Sequence, residues 1–200
     1  MKAVRKVDDK NKTREAILNA TETIMREDGY AAVSSRRVAA EAGLKSQLVH
    51  YHFGTMDELF LALFQRADAQ NFDRHMQLMT APNPLCELWK LNTDRKGMGL
   101  IFEFMALANH REALRKEIAR ANVRTRSLQI SILKRALDES GVPLDKFPPN
   151  VLSLLMAGAA LELVTEASIG VHDAHSDTLK FVENLLQSIE PIHATTKTVG

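Results

Sequence analysis

Between Ser35 and Gly54 the chain runs Ser-Arg-Arg-Val-Ala-Ala-Glu-Ala-Gly-Leu-Lys-Ser-Gln-Leu-Val-His-Tyr-His-Phe-Gly, and this stretch restricts the fold more than any other. It holds two short helical patterns, about Ser35 to Ala42 and about Lys45 to His52, hinged at Gly43. Two helices that cross steeply need a small side chain where they touch, and Ala39 supplies it. The turn between them needs positive φ, which glycine adopts at little cost. Val38, Ala42, Leu44 and Val49 then make the small core that fixes the angle. A small residue, a glycine four positions later and a branched apolar residue six after that is a demanding set. It favours a helix-turn-helix over an ordinary αα corner.

The second helix of the pair carries the chemistry. Lys45, Ser46, Gln47, His50, Tyr51 and His52 offer hydrogen-bonding tips, while Leu48, Val49 and Phe53 anchor the other side. A helix that enters a DNA groove needs such a face, polar toward base edges and phosphates and apolar behind. Gln47 suits an adenine edge, and Lys45 and Tyr51 suit phosphates. Ser34 is expected to N-cap the first helix of the pair, with Ser35 against a phosphate at that helix's positive end. Arg36 and Arg37 can reach the DNA backbone. Lys2, Arg5, Lys6, Lys10 and Lys12 lie in a polar stretch, residues 1–12, that reads as a flexible basic arm.

The rest of the chain keeps the helical period. A first helix from Thr13 places Ile17, Leu18, Thr21, Ile24 and Met25 on one face and stops at Asp28-Gly29. Thr55-Met56-Asp57-Glu58 is a capping box that opens a long helix to about Met79. Further helices are expected over about 85–92, 97–108, 112–140, 150–168 and 176–187, punctuated by Pro82, Pro84, Gly141-Val142-Pro143 and Gly170. The segment from Gly97 to Ala108 is apolar nearly all round and is expected to be central and buried. No segment alternates as a half-buried strand would. The fold expected is all-α, about nine helices, with a three-helix reading head ahead of a larger helical domain. The boundaries expected are an arm at 1–12, a DNA-binding domain at 13–60, a ligand-binding and dimerisation domain at 61–190 and a tail at 191–200.

Charge and composition narrow the function. The chain has 26 Lys plus Arg against 25 Asp plus Glu, a formal net charge of +1, which argues against coating nucleic acid by charge alone. Hydrophobic residues make up 45%, enough for a sizeable core, which argues against disorder. Cys86 is the one cysteine, so a reducing compartment is the simpler expectation. The N-terminus shows no secretory pattern, and the longest apolar run, Val151 to Val164, is shorter than the roughly 20 residues that span a bilayer. A soluble, cytoplasmic protein with no membrane partner is expected.

Enzyme readings find little support. His172-x-x-His175 has a metal-compatible spacing but sits in an expected loop with no third helical ligand, so no metal is assigned. No phosphate-cradling glycine loop, nucleophile elbow or arguable carboxylate pair occurs, and no cofactor is expected. Cys86 reads as a small apolar residue. The helix with Arg111, Arg115, Lys116, Arg120, Arg124 and Arg126 reads as a solvated face. Phe64, Trp89, Met98, Phe102 and Met105 are candidates to line a pocket for an apolar or aromatic effector. Ala157-Gly158-Ala159-Ala160 permits close helix approach. With Leu161, and with Val182 and Leu186 on the last helix, it is the candidate four-helix dimer interface, of which Ala157, Gly158 and Ala160 form the small-residue part.

From Thr13 through Leu59 the sequence resembles the N-terminal domain of TetR-family, tetracycline-repressor-like transcriptional regulators. The matching features are a first helix ending at Gly29-Tyr30, Ser34 ahead of Val38-Ala39, then Ala42-Gly43-Leu44, Val49, Tyr51-His52-Phe53 and Asp57-Glu58-Leu59. The family usually has a tyrosine at the position of His50, a small residue at Gln47 and a lysine at Met56. Met56 carries no charge to a phosphate, and Lys45 is placed to compensate. The resemblance implies a homodimer that binds double-stranded operator DNA, expected to be an inverted repeat, and a small-molecule effector that loosens it. The reading reached is a ligand-responsive transcriptional regulator, expected to repress. The alternative is a helical small-molecule carrier or enzyme with a helix-turn-helix-like corner.

Overall fold

The computed structural model describes residues 2–190, with side chains from Asp9 onward. The tail expected at 191–200 and the side chains of Lys2, Arg5 and Lys6 lie outside the described residues. The described residues contain nine α-helices and no strand: α1 (Lys2–Asp28), α2 (Ser35–Glu41), α3 (Ser46–Phe53), α4 (Met56–Leu78), α5 (Pro84–Asn92), α6 (Arg95–Ala108), α7 (Glu112–Glu139), α8 (Pro149–Ser168) and α9 (His175–Ile189). A single 3-10 turn, Tyr30–Ala32, joins α1 to α2.

The first correction concerns the arm. α1 begins at Lys2 rather than Thr13, so residues expected to form a flexible arm are helical. Nothing between Lys2 and Asp28 is glycine or proline, and most of the residues ahead of Thr13 tolerate a helix well. Thr13 bonds back into the same helix, its Oγ1 donating to the Asp9 carbonyl at 2.9 Å. The apolar stripe starts only at Ile17, which is why the period is silent before it.

The chain divides into two compact units, residues 1–70 with 99–121, and residues 71–98 with 122–200. The division falls inside α4, α6 and α7, not at residue 60. In the first unit Ile17, Leu18, Val38, Val49, Leu59 and Leu63 are almost wholly buried in one apolar cluster. Arg66 of α4 ties this unit's long helices together. Its guanidinium donates to Glu15 Oε2 at 3.0 Å, Asn19 Oδ1 at 2.7 Å and Glu22 Oε2 at 2.9 Å, all on α1. α6 departs from its expected burial. Leu100, Phe104, Leu107 and Ala108 are buried, but Ile101 and Met105 are 42% and 49% exposed, so α6 is one-sided.

In the second unit α8 and α9 both pack on α5 around Leu85, Leu88, Trp89, Ile132, Leu133, Ala160 and Leu186. The buried Glu190 carboxylate caps α5, accepting from the Leu85 amide at 2.9 Å and the Cys86 amide at 3.2 Å. α8 is 20 residues long and apolar enough by composition to cross a membrane, so the length argument made from Val151–Val164 does not hold. Its Ser153, Ala160 and Val164 are nonetheless buried within the unit.

Candidate nucleic-acid interface

The reading head is built by three local devices. Ser34, in extended backbone, caps α2, its Oγ accepting from the Arg37 amide at 3.3 Å. α2 then ends on Gly43 at φ 66°, where the Leu44 amide donates to the Ala39 carbonyl at 2.8 Å and the Gly43 amide to Ala40 at 3.1 Å. That paired closure satisfies the Ala39 and Ala40 carbonyls and drops Leu44 onto the core. Past α3, the capping box closes as expected: the Glu58 amide donates to Thr55 Oγ1 at 3.1 Å, and the Thr55 amide to Glu58 Oε2 at 3.2 Å.

These devices hold α3 with Val49 and Phe53 buried and Lys45, Gln47, His50 and Tyr51 exposed, Tyr51 at 69%. Ser46 and His52 are half-buried. His50 and Tyr51 follow Gln47 by three and four residues, so the three tips share one face, with Lys45 at the helix N-cap. His50 is braced by its own turn, with Nδ1 donating to the Gly54 carbonyl at 3.0 Å, which leaves Nε2 for an outside partner. Ser35 is half-buried and Arg36 exposed at the start of α2. Arg37 is committed elsewhere, paired with Asp28 at the end of α1.

Two residues of α1 stand against α3 through contacts the sequence did not indicate. Lys10 sits over the Tyr51 ring at 5.6 Å, and Arg14 over the Phe53 ring at 5.0 Å. These pairs, 41 and 39 positions apart, are linked only by the angle at which α1 crosses α3, which no short-range pattern records. His52 stands toward these cations. Burial, then Lys10 and Arg14, hold its pKa below the usual histidine value.

The other expected sites scatter. Phe64, Phe102 and Met105 belong to the first unit and Trp89 and Met98 to the second. Phe64 is core, edge-on to Phe104 at 5.2 Å. Met105 is exposed, and Trp89 is buried at 1% exposure. On the expected dimer face, Ala160 and Leu186 are turned into the unit's own core, at 1% and 7% exposure, while Ala157 and Val182 are half-buried and Gly158 and Leu161 exposed. The small-residue run spans a full helical turn, so it marks no single side. The residues that do point outward are Val151, Leu154, Leu155 and Leu161 on α8 and Phe181 and Leu185 on α9. His175 is turned onto Glu166, Nε2 to Oε2 at 2.7 Å.

A capped helix, a glycine closure and a second helix with an exposed polar face define a helix-turn-helix DNA-binding domain. Residues 17–63 match the family model for bacterial regulatory proteins of the tetR family. No curated protein matches the chain. Among solved structures, a putative transcriptional regulator from Saccharomonospora viridis in complex with choline superposes with a TM-score of 0.73 at 17% identity, over 89% of this chain and 96% of that one. A TetR transcription regulator from Haloarcula marismortui gives 0.72 at 20% identity, over 90% and 97%. The multidrug binding protein EbrR, complexed with imidazole, gives 0.57 at 25% identity, over 91% and 92%. The helix-turn-helix segment thus matches the tetR family model, and the fold as a whole is similar to that of TetR-family transcriptional regulators.

Proposed function

We propose that this regulator acts in the cytoplasm as a homodimer on an inverted-repeat operator, represses there, and is released by a small-molecule effector. The observation that carries the reading is the α3 face, where Gln47, His50 and Tyr51 stand outward beside Lys45 while Val49 and Phe53 lock the helix down. Gln47 reads a base edge, and Lys45 and Tyr51, with Lys10 beside Tyr51, hold phosphates. Ser35 and Arg36 reach the backbone from the start of α2, and Ser34 acts through its cap.

Dimerisation is supported by the outward apolar residues of α8 and α9, where Leu155 is 62% and Phe181 68% exposed. A second copy covering these faces would remove them from water, and it would place two reading heads on one duplex, multiplying a weak single-site affinity. The interface is accordingly shifted from Ala160 and Leu186 to Leu154, Leu155, Leu161, Phe181 and Leu185. The effector reading draws on neighbours of the same fold that hold choline or imidazole. Its energetics need only a difference in effector affinity between two dimer states, typically about 1–3 kcal/mol of coupling.

The test is fluorescence anisotropy on duplexes from the DNA flanking the coding region, across a salt series. Gln47→Ala should relax preference at particular base pairs. Lys45→Ala should weaken all duplexes alike and reduce the salt slope by about 1. Identical behaviour of the two variants would remove this division of roles, and no duplex binding at low salt would remove the function.

A further inference from the structure

Within the second unit, four helices bring polar side chains to one place in an otherwise apolar interior. His75 of α4, Gln129 of α7 and Ser153 of α8 are 3%, 7% and 1% exposed, and Asn92 of α5 joins them. Their hydrogen bonds have one possible sense. A backbone carbonyl only accepts, so His75 Nδ1 carries the hydrogen that meets Asn71 O at 2.8 Å. In the neutral ring Nε2 then accepts, and the Gln129 amide nitrogen donates to it at 3.0 Å. The other end of the same amide, Oε1, accepts from the Ser153 hydroxyl at 3.0 Å. The Gln129 nitrogen's second hydrogen faces Asn92 Oδ1 at 3.4 Å. Burial, the largest influence, lowers the His75 pKa and keeps the ring neutral near pH 7.

This chain of bonds occupies the acceptors and leaves donors over. Among the described residues, Asn92 Nδ2 and Trp89 Nε1 are buried and have no hydrogen-bond partner within the protein. They lie three positions apart on α5, neighbours on one helix face. Thr125 Oγ1, likewise without a partner, is one turn before Gln129 on α7. Trp89 is itself only 1% exposed. A protein interior seldom leaves N–H donors unpaired, because each has lost water and gained nothing.

We propose that this cluster is the effector-recognition site, and that the effector is an uncharged molecule presenting a carbonyl-type oxygen, as in an amide, ester or ketone, to Trp89 Nε1 and Asn92 Nδ2. The proposal rests on the reading of the chain as ligand-responsive and gives that response a chemistry. The cluster itself carries no ionised side chain, so a carboxylate would be desolvated without a cation to pair it. A quaternary ammonium would meet only the positive ends of N–H bonds. A purely apolar ligand would leave both donors as they are. The neutral acceptor is the one class that completes the network.

Trp89 is the only tryptophan in the chain, so emission excited at wavelengths beyond tyrosine absorption reports this site alone. The experiment titrates the full-length protein with benzamide, and in parallel with toluene, benzoate and benzyltrimethylammonium, reading Trp89 emission and thermal shift. Affinity for operator DNA is followed separately. Benzamide should change the emission saturably and raise the melting temperature, and the other three should bind at least about tenfold more weakly, the cost of one missing partner. Asn92→Leu should weaken benzamide about tenfold while leaving duplex binding intact. Trp89→Phe, read by thermal shift, should do the same, and covers the case in which Asn92→Leu does not fold.

The proposal is overturned if benzoate or the ammonium matches benzamide, if benzamide gives no saturable signal, or if both substitutions leave its affinity unchanged. Small molecules that release DNA without touching Trp89 emission would also overturn the site while leaving ligand response standing. Benzamide-class binding at Trp89 with no effect of any ligand on DNA would keep the site and remove the response.

Discussion

Gly54 offers the most exacting test of how the reading head is held. It sits at φ 64°, ψ −71°, between α3 and α4, with the Thr55 amide donating to the Phe53 carbonyl at 2.7 Å across it. This is the positive-φ γ-turn, a conformation rare for residues with a side chain. A Cβ built at Gly54 would stand 2.4 Å from Glu58 Oε2, the oxygen that accepts from the Thr55 amide. Gly54→Ala therefore imposes two costs, backbone strain of about 1–3 kcal/mol and loss of the capping carboxylate, about 1 kcal/mol. A total of about 3 kcal/mol corresponds to about 6–12 °C in Tm for a chain of this length. Gly43→Ala is the control. Its φ is similar at 66°, but nothing lies within 4 Å of the added Cβ, so only strain of about 1–2 kcal/mol is expected.

Urea unfolding followed by far-UV circular dichroism measures each variant, and Glu58→Ala completes a cycle. Once Gly54→Ala has displaced the carboxylate, removing it should cost nothing further, so the double variant should be no less stable than Gly54→Ala alone. Full additivity of the two single changes would refute the reasoning, because it would mean that Glu58 still caps α4 beside an alanine at position 54.

Other substitutions separate surfaces from cores. Leu155→Asp combined with Phe181→Asp should give a folded monomer by sedimentation and weaken operator binding, whereas Ala160→Asp or Leu186→Asp should unfold the second unit. Arg66→Ala removes three charge-assisted bonds between α4 and α1 and should lower the unfolding free energy measured in urea by about 2 kcal/mol. His75 has a folded-state pKa lowered by burial, so the stability linked to it is complete above the unfolded value and is lost as pH falls below about 6.5. His75→Gln should flatten the fall in stability below that pH by up to about 1.4 kcal/mol per pH unit.

What could be read in advance follows from where each determinant lies along the chain. The helix pair was legible because Ala39, Gly43 and Val49 act within eleven residues, and the Thr55–Glu58 cap within four. α1 was cut short because hydrophobic period reports burial, and ahead of Ile17 the helix has little to bury. The dimer candidates took in the core residues Ala160 and Leu186 because Ala157 to Ala160 spans the whole circumference of α8, and composition cannot choose a side. The His75–Gln129–Ser153 chain was invisible for a different reason. Each member sits on a separate helix, where a polar residue looks like a solvated position. Only the packing of α4, α7 and α8 turns three ordinary residues into one network.

His52 carries that dependence on packing into the DNA-binding step. In the free protein burial, Lys10 and Arg14 all disfavour its protonated form. Phosphates drawn to Lys10 and Arg14 would cancel the electrostatic part of that effect, so the ring should hold a proton more tightly in the complex than outside it. Binding is then linked to proton uptake, and operator affinity should rise as pH falls toward and below about 6.5, by at most about tenfold per pH unit for one proton. The sign is opposite to that for His75, whose proton costs stability, so acid should tighten the complex while weakening the fold. Measuring operator affinity from neutral to mildly acid pH at fixed salt, for the parent and for His52→Asn, isolates the contribution. If the two slopes coincide, the phosphates do not approach Lys10 and Arg14, and α1 has no part in the DNA-binding face.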